Sequence, residues 1–140
     1  MKLPEKKSLK GVHLLLAEDD YFNIFIAQQF FKKWNITFDV AKTGQQVIER
    51  LESKSYDLVL MDLQMPDMDG YEATEIIRNS PVAAYRNIPI IALTASAILD
   101  IKDQAFAIGM NDCLSKPFNP DDLFRKIQQY SLYNVVVESH

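Results

Sequence analysis

Short apolar runs alternate with longer amphipathic segments along this chain, and that order constrains its fold more than any other feature. Three runs, Val12 to Ala17, Tyr56 to Met61 and Ile88 to Leu93, are nearly continuous, which is typical of strands buried on both faces. Two shorter segments, Ile36 to Val40 and Asp112 to Ser115, are weaker strand candidates. The sequence therefore predicts five strands.

Helical segments are predicted between and after these strands. Asp20 is an N-cap type of residue, and Thr43 followed by Gln46 matches a capping box. The predicted helices are Asp20 to Trp34, Thr43 to about Leu51, Gly70 to Arg78, Ile98 to Ile108 and Pro120 to Tyr130. Because parallel strands need right-handed crossover helices, helices should cover both faces of one sheet. We expect a doubly wound α/β sandwich with its function at the carboxyl ends of the strands.

The composition is that of one globular domain, with 140 residues of which 48% are hydrophobic and 24% charged. A net charge of −4 argues against nucleic acid as a direct partner, because an acidic domain gains nothing from counterion release. The single cysteine, Cys113, cannot form an internal disulfide, which favours a reducing compartment.

The segment boundaries are predicted from charge and hydropathy. No apolar signal segment follows the basic N-terminus, and the longest apolar-rich stretch, Ile88 to Leu99, is too short to span a bilayer. We expect a cytoplasmic protein without membrane insertion. Residues 1–10 should form a basic tail, residues 11–132 the domain and residues 133–140 a second tail.

Carboxylates follow two of the predicted strands. Glu18, Asp19 and Asp20 come after the first run, and Asp62 comes after the third. In a doubly wound sheet these strands are neighbours, so Glu18, Asp19 and Asp62 should converge and repel one another. A divalent cation relieves this repulsion, and an all-oxygen, water-retaining site suits Mg²⁺. The plainer interpretation is helix capping and a strand-end acid, and capping is the main role expected of Asp20.

One rival acidic motif fails on spacing, and a second matches only weakly. The segment Asp67 to Gly70 resembles part of a calcium loop, but the first and twelfth ligand positions would be Met65 and Ile76. A haloacid-dehalogenase-like phosphatase would place a second aspartate two positions after Asp62, where this chain has Gln64.

Polar residues also end the fourth and fifth runs. Thr94 places a hydroxyl at the end of the fourth, and Lys116 follows the fifth, where its ammonium can reach the acidic cluster and hold phosphate oxygens. Each residue alone has an ordinary alternative, a β-branched strand residue or a solvated lysine. Pro117, which follows Lys116, could form a cis peptide bond.

Four motifs stand in a specific order: Leu-Leu-Ala-Glu18-Asp19-Asp20, Leu-Met-Asp62-Leu-Gln-Met-Pro-Asp-Met-Asp-Gly70, Ala-Leu-Thr94-Ala and Ser-Lys116-Pro-Phe. In order and spacing they resemble the receiver domain of response regulators over about Gly11 to Leu132. The residues that follow Asp62 and the segment Gly109-Met-Asn-Asp are most similar in sequence to receivers of hybrid sensor histidine kinases. The resemblance implies a flavodoxin-like (βα)5 three-layer sandwich with parallel strand order 2-1-3-4-5.

The resemblance also implies roles for the acidic residues. Asp62 would be the phosphoacceptor in a two-component phosphorelay. Asp19 and Asp62 would bind Mg²⁺ through carboxylates, Gln64 through its backbone carbonyl and Glu18 mainly through water. The domain would assist its own phosphorylation and dephosphorylation without acting as an enzyme on a metabolite.

The remaining implied roles concern partners and output. Thr94 would hydrogen-bond the phosphoryl group and Lys116 would pair with it. The donor would be a phosphohistidine of a histidine kinase or histidine phosphotransfer protein, and Phe22 and Ile26 on the first helix are candidates for its docking face. Phosphorylation would rearrange the surface around the fourth helix, fifth strand and fifth helix, where a phosphorylation-dependent dimer could form.

Several alternatives stay open at this point. Many receivers carry an aromatic residue where this chain has Cys113, and its inward rotation accompanies activation. Whether this part of the switch exists here stays open. We expect Cys113 to be a small buried strand residue, with a redox role as the alternative. A degenerate, binding-only receiver and a small phosphatase-like enzyme compete with the signalling receiver. A histidine phosphotransfer role is not expected, because His13 lies in a predicted strand and His140 ends the chain. The chain would be either a stand-alone regulator or a receiver from a longer kinase.

Overall fold

The structure, a computed structural model, describes residues 8–95 and 99–138, with the side chains of Leu99 and of residues 132–138 left out. The elements are β1 (His13–Ala17), α1 (Tyr21–Lys33), β2 (Thr37–Ala41), α2 (Gly44–Ser53), β3 (Leu58–Asp62), α3 (Gly70–Arg78), α4 (Ala83–Arg86), β4 (Ile90–Thr94), α5 (Leu99–Ile108), β5 (Asp112–Ser115) and α6 (Pro120–Glu138). None of the helices in these ranges is long and apolar enough to cross a membrane.

The five strands form one parallel sheet in the order β2-β1-β3-β4-β5, which confirms the predicted fold class and strand order. Strands β3 and β4 are buried along their whole length, as their continuous apolar runs predicted. The strand order reverses between β1 and β3, so the carboxyl ends of these two strands border the switch point.

Two apolar layers cover the two faces of the sheet. One layer contains Phe31 and Trp34 at the C-terminal end of α1 together with Leu123 and Ile127 of α6. The opposite layer contains buried residues of α2, α3 and α5, for example Ile77. The protein is therefore the predicted three-layer sandwich, with α1 and α6 on one face and α2, α3 and α5 on the other.

Side-chain caps fix where several helices begin. The Asp20 carboxylate accepts hydrogen bonds from the N–H groups of Phe22 and Asn23, and the Thr43 hydroxyl accepts one from Gln46 N–H. Asp69 caps α3 in the same way. These caps satisfy N–H groups that a helix cannot satisfy internally. Helices α1 and α2 begin four and three residues after the strands that precede them, whereas α3 begins eight residues after the end of β3.

The structure differs from the sequence prediction at some element boundaries. Helix α4 was not predicted, and α6 continues eight residues past the predicted end at Tyr130. The predicted start of α5 at Ile98 lies outside the described residues. Leu9, within the predicted tail, is buried and its N–H donates to the Trp34 carbonyl. The limits of the tails and of the domain remain predictions.

Candidate functional site

Polar side chains from four strands meet at the carboxyl edge of the sheet. Glu18 follows β1, Asp62 is the last residue of β3, Thr94 is the last residue of β4, and Lys116 follows β5. All four line one pocket of about 320 Å³. The structure therefore brings together the residues that the sequence placed at separate strand ends.

Three carboxylates form a compact cluster in this pocket. One oxygen each from Glu18, Asp19 and Asp62 lies within 4.8 Å of the others. Glu18 is fully buried and Asp62 nearly so, whereas Asp19 is exposed at the mouth. Burial is the main cause that raises the pKa of Glu18, because a desolvated carboxylate is less stable when charged. The neighbouring Asp62 raises this pKa further.

Lys116 is the cation of the site. Its Nζ lies 2.8 Å from Oε1 of Glu18 and 2.9 Å from Oδ2 of Asp62. Burial alone would lower the pKa of Lys116, but the two carboxylates outweigh it and raise that pKa. The ammonium therefore remains charged and bridges the two buried acids.

Backbone groups orient the carboxylates. Asp62 Oδ1 accepts the N–H of Gln64 at 3.0 Å, and Glu18 Oε2 accepts the N–H groups of Asp19 at 3.1 Å and Asp20 at 3.2 Å. These bonds use oxygens other than those facing Lys116, so each carboxylate is held from both sides. Asp20 has the capping role expected of it.

The segment that follows Asp62 packs tightly beneath the site. A Cβ atom at Gly70 would lie 2.3 Å from the Asp62 carbonyl oxygen, so only glycine allows α3 to begin there. The N–H of Gly44 donates to the Met68 carbonyl at 2.9 Å, which ties this segment to α2. Helices on one sheet face thus fix the loop that carries Gln64.

The β5 side of the pocket is fixed by backbone contacts. The Lys116 N–H donates to the Thr94 carbonyl at 2.8 Å, and the peptide bond between Lys116 and Pro117 is cis. Cys113 is buried on β5, as expected of a small strand residue. Burial is the main cause that raises the pKa of its thiol, and the nearby Asp112 raises it further. The raised pKa disfavours a reactive thiolate.

Three residues that line the pocket were not predicted from the sequence: Asn23 of α1, Tyr71 of α3 and Ile101 of α5. Asn23 is the third residue of its helix, and helical side chains lean toward the N-terminus, which here is the mouth of the pocket. No motif singled out these residues, because their distance from Asp62 depends on how the helices pack.

Comparison with known proteins gives one family. The family model for the response regulator receiver domain matches residues 14–128. The chain is 40% identical over 121 residues to Transcription factor SKN7 of Saccharomyces cerevisiae, which covers 86% of this chain. It spans 19% of that relative and 6% of Hybrid signal transduction histidine kinase B of Dictyostelium discoideum.

Two solved structures are similar in fold and sequence. The receiver domain of sensor histidine kinase PA1611 from Pseudomonas aeruginosa, with magnesium in its active-site cleft, is 35% identical with a TM-score of 0.79; the match covers 86% of this chain and 98% of that one. The receiver of Ssk1 from Saccharomyces cerevisiae, crystallised with the histidine phosphotransfer protein Ypd1, is 32% identical with a TM-score of 0.82; that match covers 91% of this chain and 94% of the other.

Proposed function

The chain belongs to the response regulator receiver domain family of two-component signalling, and on this premise we propose that Asp62 accepts a phosphoryl group from phosphohistidine in a Mg²⁺-dependent step. A receiver is a signalling module and not a classical enzyme. The observation that carries the proposal is the contact of Asp62 with Lys116 inside a cluster of three carboxylates. Such a site concentrates negative charge at one end of the sheet and places a cation against the acceptor oxygen.

The reaction needs an Asp62 oxygen to attack phosphorus. The new O–P bond forms as the N–P bond of phosphohistidine breaks, and the electron pair leaves with the imidazole. Lys116 neutralises charge on the transferred oxygens, and Thr94 donates a hydrogen bond to one of them. Water later attacks the same phosphorus, breaks the O–P bond and releases phosphate, which restores Asp62.

The same residues fit a magnesium ion. Asp19 and Asp62 would bind it through carboxylates, Gln64 through its backbone carbonyl and Glu18 mainly through water. An all-oxygen set with an exposed side at Asp19 suits Mg²⁺, which keeps several of its waters. When bound, the ion would neutralise charge that develops on the phosphoryl oxygens. The magnesium in the PA1611 receiver supports this assignment.

We place the docking face for the phosphodonor on the outer side of α1. Tyr21, Phe22 and Phe25 are all more than half exposed there, and Ile26 is half-buried beside them. Exposed aromatic residues in one patch indicate an interface. The patch starts directly after Asp20, so a protein docked on it would have its histidine near the pocket. The Ssk1 receiver in complex with Ypd1 supports a histidine phosphotransfer protein as partner.

We place the output face around α5, β5 and α6. These are the fourth predicted helix, the fifth strand and the fifth predicted helix, because the short helix α4 was not predicted. Thr94 ends β4 next to β5, and its carbonyl accepts the Lys116 N–H, so a shift of Thr94 toward the phosphate would move both strands. A phosphorylation-dependent dimer through this face is part of the proposal. A binding-only receiver is less favoured, because Glu18, Asp62 and Lys116 are held in a buried, hydrogen-bonded arrangement.

Intact-protein mass after incubation with acetyl phosphate tests the central step. We expect a Mg²⁺-dependent gain of one phosphoryl group that is lost in Asp62→Asn. The matched control is Asp67→Asn, in the same loop, at a positive φ that asparagine tolerates. If acetyl phosphate gives no gain, a phosphorylated histidine phosphotransfer protein is the second donor. No labelling from either donor would leave the binding-only receiver as the explanation.

Transfer kinetics test the docking face. We expect Phe22→Ala and Ile26→Ala to slow transfer from a phosphorylated histidine phosphotransfer protein about tenfold, a loss that corresponds to about 1.4 kcal/mol of contact energy. Labelling by acetyl phosphate should fall less. Phe106→Ala, another exposed phenylalanine but on α5, is the control. Equal rates for all three variants and the wild type would remove α1 from the proposal.

A further inference from the structure

A second concave surface lies between α2 and α3, on the sheet face opposite α1. It has a volume of about 710 Å³ and shares no lining residue with the pocket around Asp62. We call it the acidic groove and define it by the residues Ile48 and Glu52 of α2, Glu72, Glu75, Ile76, Ile77 and Asn79 on α3 and at its end, and Ser80, Pro81 and Tyr85 just beyond. The proposed phosphorylation chemistry uses none of them.

The floor of the acidic groove is apolar and partly uncovered. Ile48 and Ile77 are buried beneath it, whereas Ile76 exposes 42% of its surface. Val82, which follows the lining residue Pro81 in sequence, exposes 43% but does not line the groove. Exposed large apolar side chains in the described parts of the chain otherwise lie on the outer side of α1, apart from Phe106. An exposed isoleucine above buried isoleucines in a concave surface gives a partner an apolar area to cover.

Uncompensated carboxylates line both walls of the groove. Glu52 stands on α2, and Glu72 and Glu75 stand on α3; all three are exposed. None of them forms an ion pair with a lysine or arginine in the ranges that the structure describes. Arg78, on the same helix, is occupied by the carbonyls of Gly109 and Arg86 and the side chain of Asn111.

Local helix electrostatics do not account for these charges. Glu72 lies in the first turn of α3, where the helix dipole favours an acid. Glu52 is the penultimate residue of α2, where the dipole disfavours one, and Glu75 is three residues from Glu72, where like charges repel. Two of the three carboxylates are thus unfavourable to the isolated domain, which leaves their charge available to a partner.

We propose that the acidic groove is a docking surface for a basic amphipathic helix of a partner protein. Apolar residues on one face of that helix would cover Ile76 and the floor, and lysine or arginine residues on its flanks would face Glu52 on one wall and Glu75 on the other. Nucleic acids and anionic membranes do not fit, because their phosphates meet the same carboxylates.

The test is a titration of the isotope-labelled full chain, followed by NMR, with a synthetic leucine–lysine peptide whose leucines repeat at helical spacing. We expect shifts in α2 and α3 around Glu52, Glu75 and Ile76, and weaker binding at higher salt. The double variant Glu52→Lys/Glu75→Lys should bind about tenfold more weakly, because two attractive contacts become repulsive. Ile76→Ala should also weaken binding.

The control variant is Glu49→Lys, which makes one such charge reversal, half of the charge change of the double variant, on α2 but outside the groove. Its affinity should stay within about twofold of the wild type. A peptide with glutamates in place of the lysines should not bind. Shifts that centre on Asp19 and Asp62, or equal affinity for the double variant and Glu49→Lys, would overturn the proposal. Labelling of Asp62 by acetyl phosphate, measured on the same variants, reports separately on the phosphorylation site.

Discussion

Gly70 shows how one residue without a side chain positions the acceptor carboxylate. Its missing Cβ makes room for the Asp62 carbonyl oxygen and for Met61 Cγ, which would lie 2.9 Å from it. We expect Gly70→Ala to lower the free energy of unfolding by about 2 kcal/mol, since an added methyl group must displace the end of β3 or the start of α3. Urea denaturation measures this loss.

Gly11→Ala is the comparison for Gly70. No atom would lie within 4 Å of its added Cβ, but its φ of +98° is strained for alanine, which costs about 1 kcal/mol. Asp62 labelling should fall in Gly70→Ala and stay unchanged in Gly11→Ala. A Gly70→Ala variant with normal stability and normal labelling would show that the contact relaxes without moving Asp62.

A hydrogen bond between Tyr56 and Asp39 makes part of the stability depend on pH. The phenol donates to Asp39 Oδ2 at 2.7 Å, and Lys54 donates at 3.2 Å. The Tyr56 hydrogen bond lowers the pKa of Asp39, so the folded protein favours the ionised carboxylate. This contribution is present above the ordinary pKa of 3.8 and is lost as the pH falls through the lower pKa of the folded state.

We therefore expect Tyr56→Phe to lower the free energy of unfolding by about 1 kcal/mol near neutral pH and by less well below pH 3.8. Chemical denaturation in these two pH ranges gives the difference, and carbon NMR should find the pKa of Asp39 raised in the variant. Tyr85→Phe serves as the control, because the Tyr85 hydroxyl meets Ser80 and not a carboxylate. A loss for Tyr56→Phe that does not change with pH would contradict the assignment.

At the scale of elements, Arg78 joins three segments at the amino edge of the sheet. Its guanidinium donates to the carbonyls of Gly109 and Arg86 and to Asn111 Oδ1, which also accepts the Ile90 N–H. One side chain thus holds the end of α3, the end of α4 and the loop that leads into β5.

We expect Arg78→Met to lower the free energy of unfolding by about 2 kcal/mol, because methionine keeps the apolar stem and leaves the acceptors without their donor. Faster hydrogen exchange at the Ile90 amide should accompany this loss. Arg125→Met removes an exposed surface pair with Asp122 and should cost less than about 0.5 kcal/mol. Similar losses for both variants would indicate that the Arg78 contacts contribute little.

The accuracy of the sequence prediction differs between elements for physical reasons. Helix starts at Tyr21 and Gly44 were predicted within a residue, since Asp20 and Thr43 cap their helices through local hydrogen bonds. Helix α4 was missed because its four residues carry no side-chain cap, and its last carbonyl is held by Arg78 from another element. Local signals were readable, whereas contacts between distant segments were not.

The site shows the same division. The sequence predicts a polar cluster at one edge of the sheet, because the ends of parallel strands lie together, and the pocket is lined by the four predicted residues Glu18, Asp62, Thr94 and Lys116. Their roles in phosphoryl transfer stay predictions. Asn23, Tyr71 and Ile101 were missed, since their approach depends on the seating of three helices. The sequence does not indicate the acidic groove either, because Glu52 and Glu75 come to line one groove only when α2 packs beside α3.

At the scale of the whole molecule, the carboxylate cluster is expected to couple ion binding to stability. We expect Mg²⁺ to raise the melting temperature, with a gain of about 1.4 kcal/mol when the ion is at about ten times its Kd. The gain should be smaller in Asp62→Asn and unchanged in Asp103→Asn on the exposed side of α5. Thermal unfolding with and without Mg²⁺ gives the comparison, and an equal gain in all three proteins would place the ion elsewhere.

The bridge from Lys116 to Glu18 and Asp62 has a consequence for how a signal is stored. The cluster of Glu18, Asp19 and Asp62, counted with Lys116, has two unmatched negative charges when all three carboxylates are ionised, and one divalent ion would leave it neutral. An acyl phosphate on Asp62 carries one more negative charge than the carboxylate it replaces. The phosphorylated cluster with its ion would therefore carry one surplus negative charge. That charge would persist until hydrolysis releases the phosphate, so the lifetime of the acyl phosphate sets how long the signal is stored.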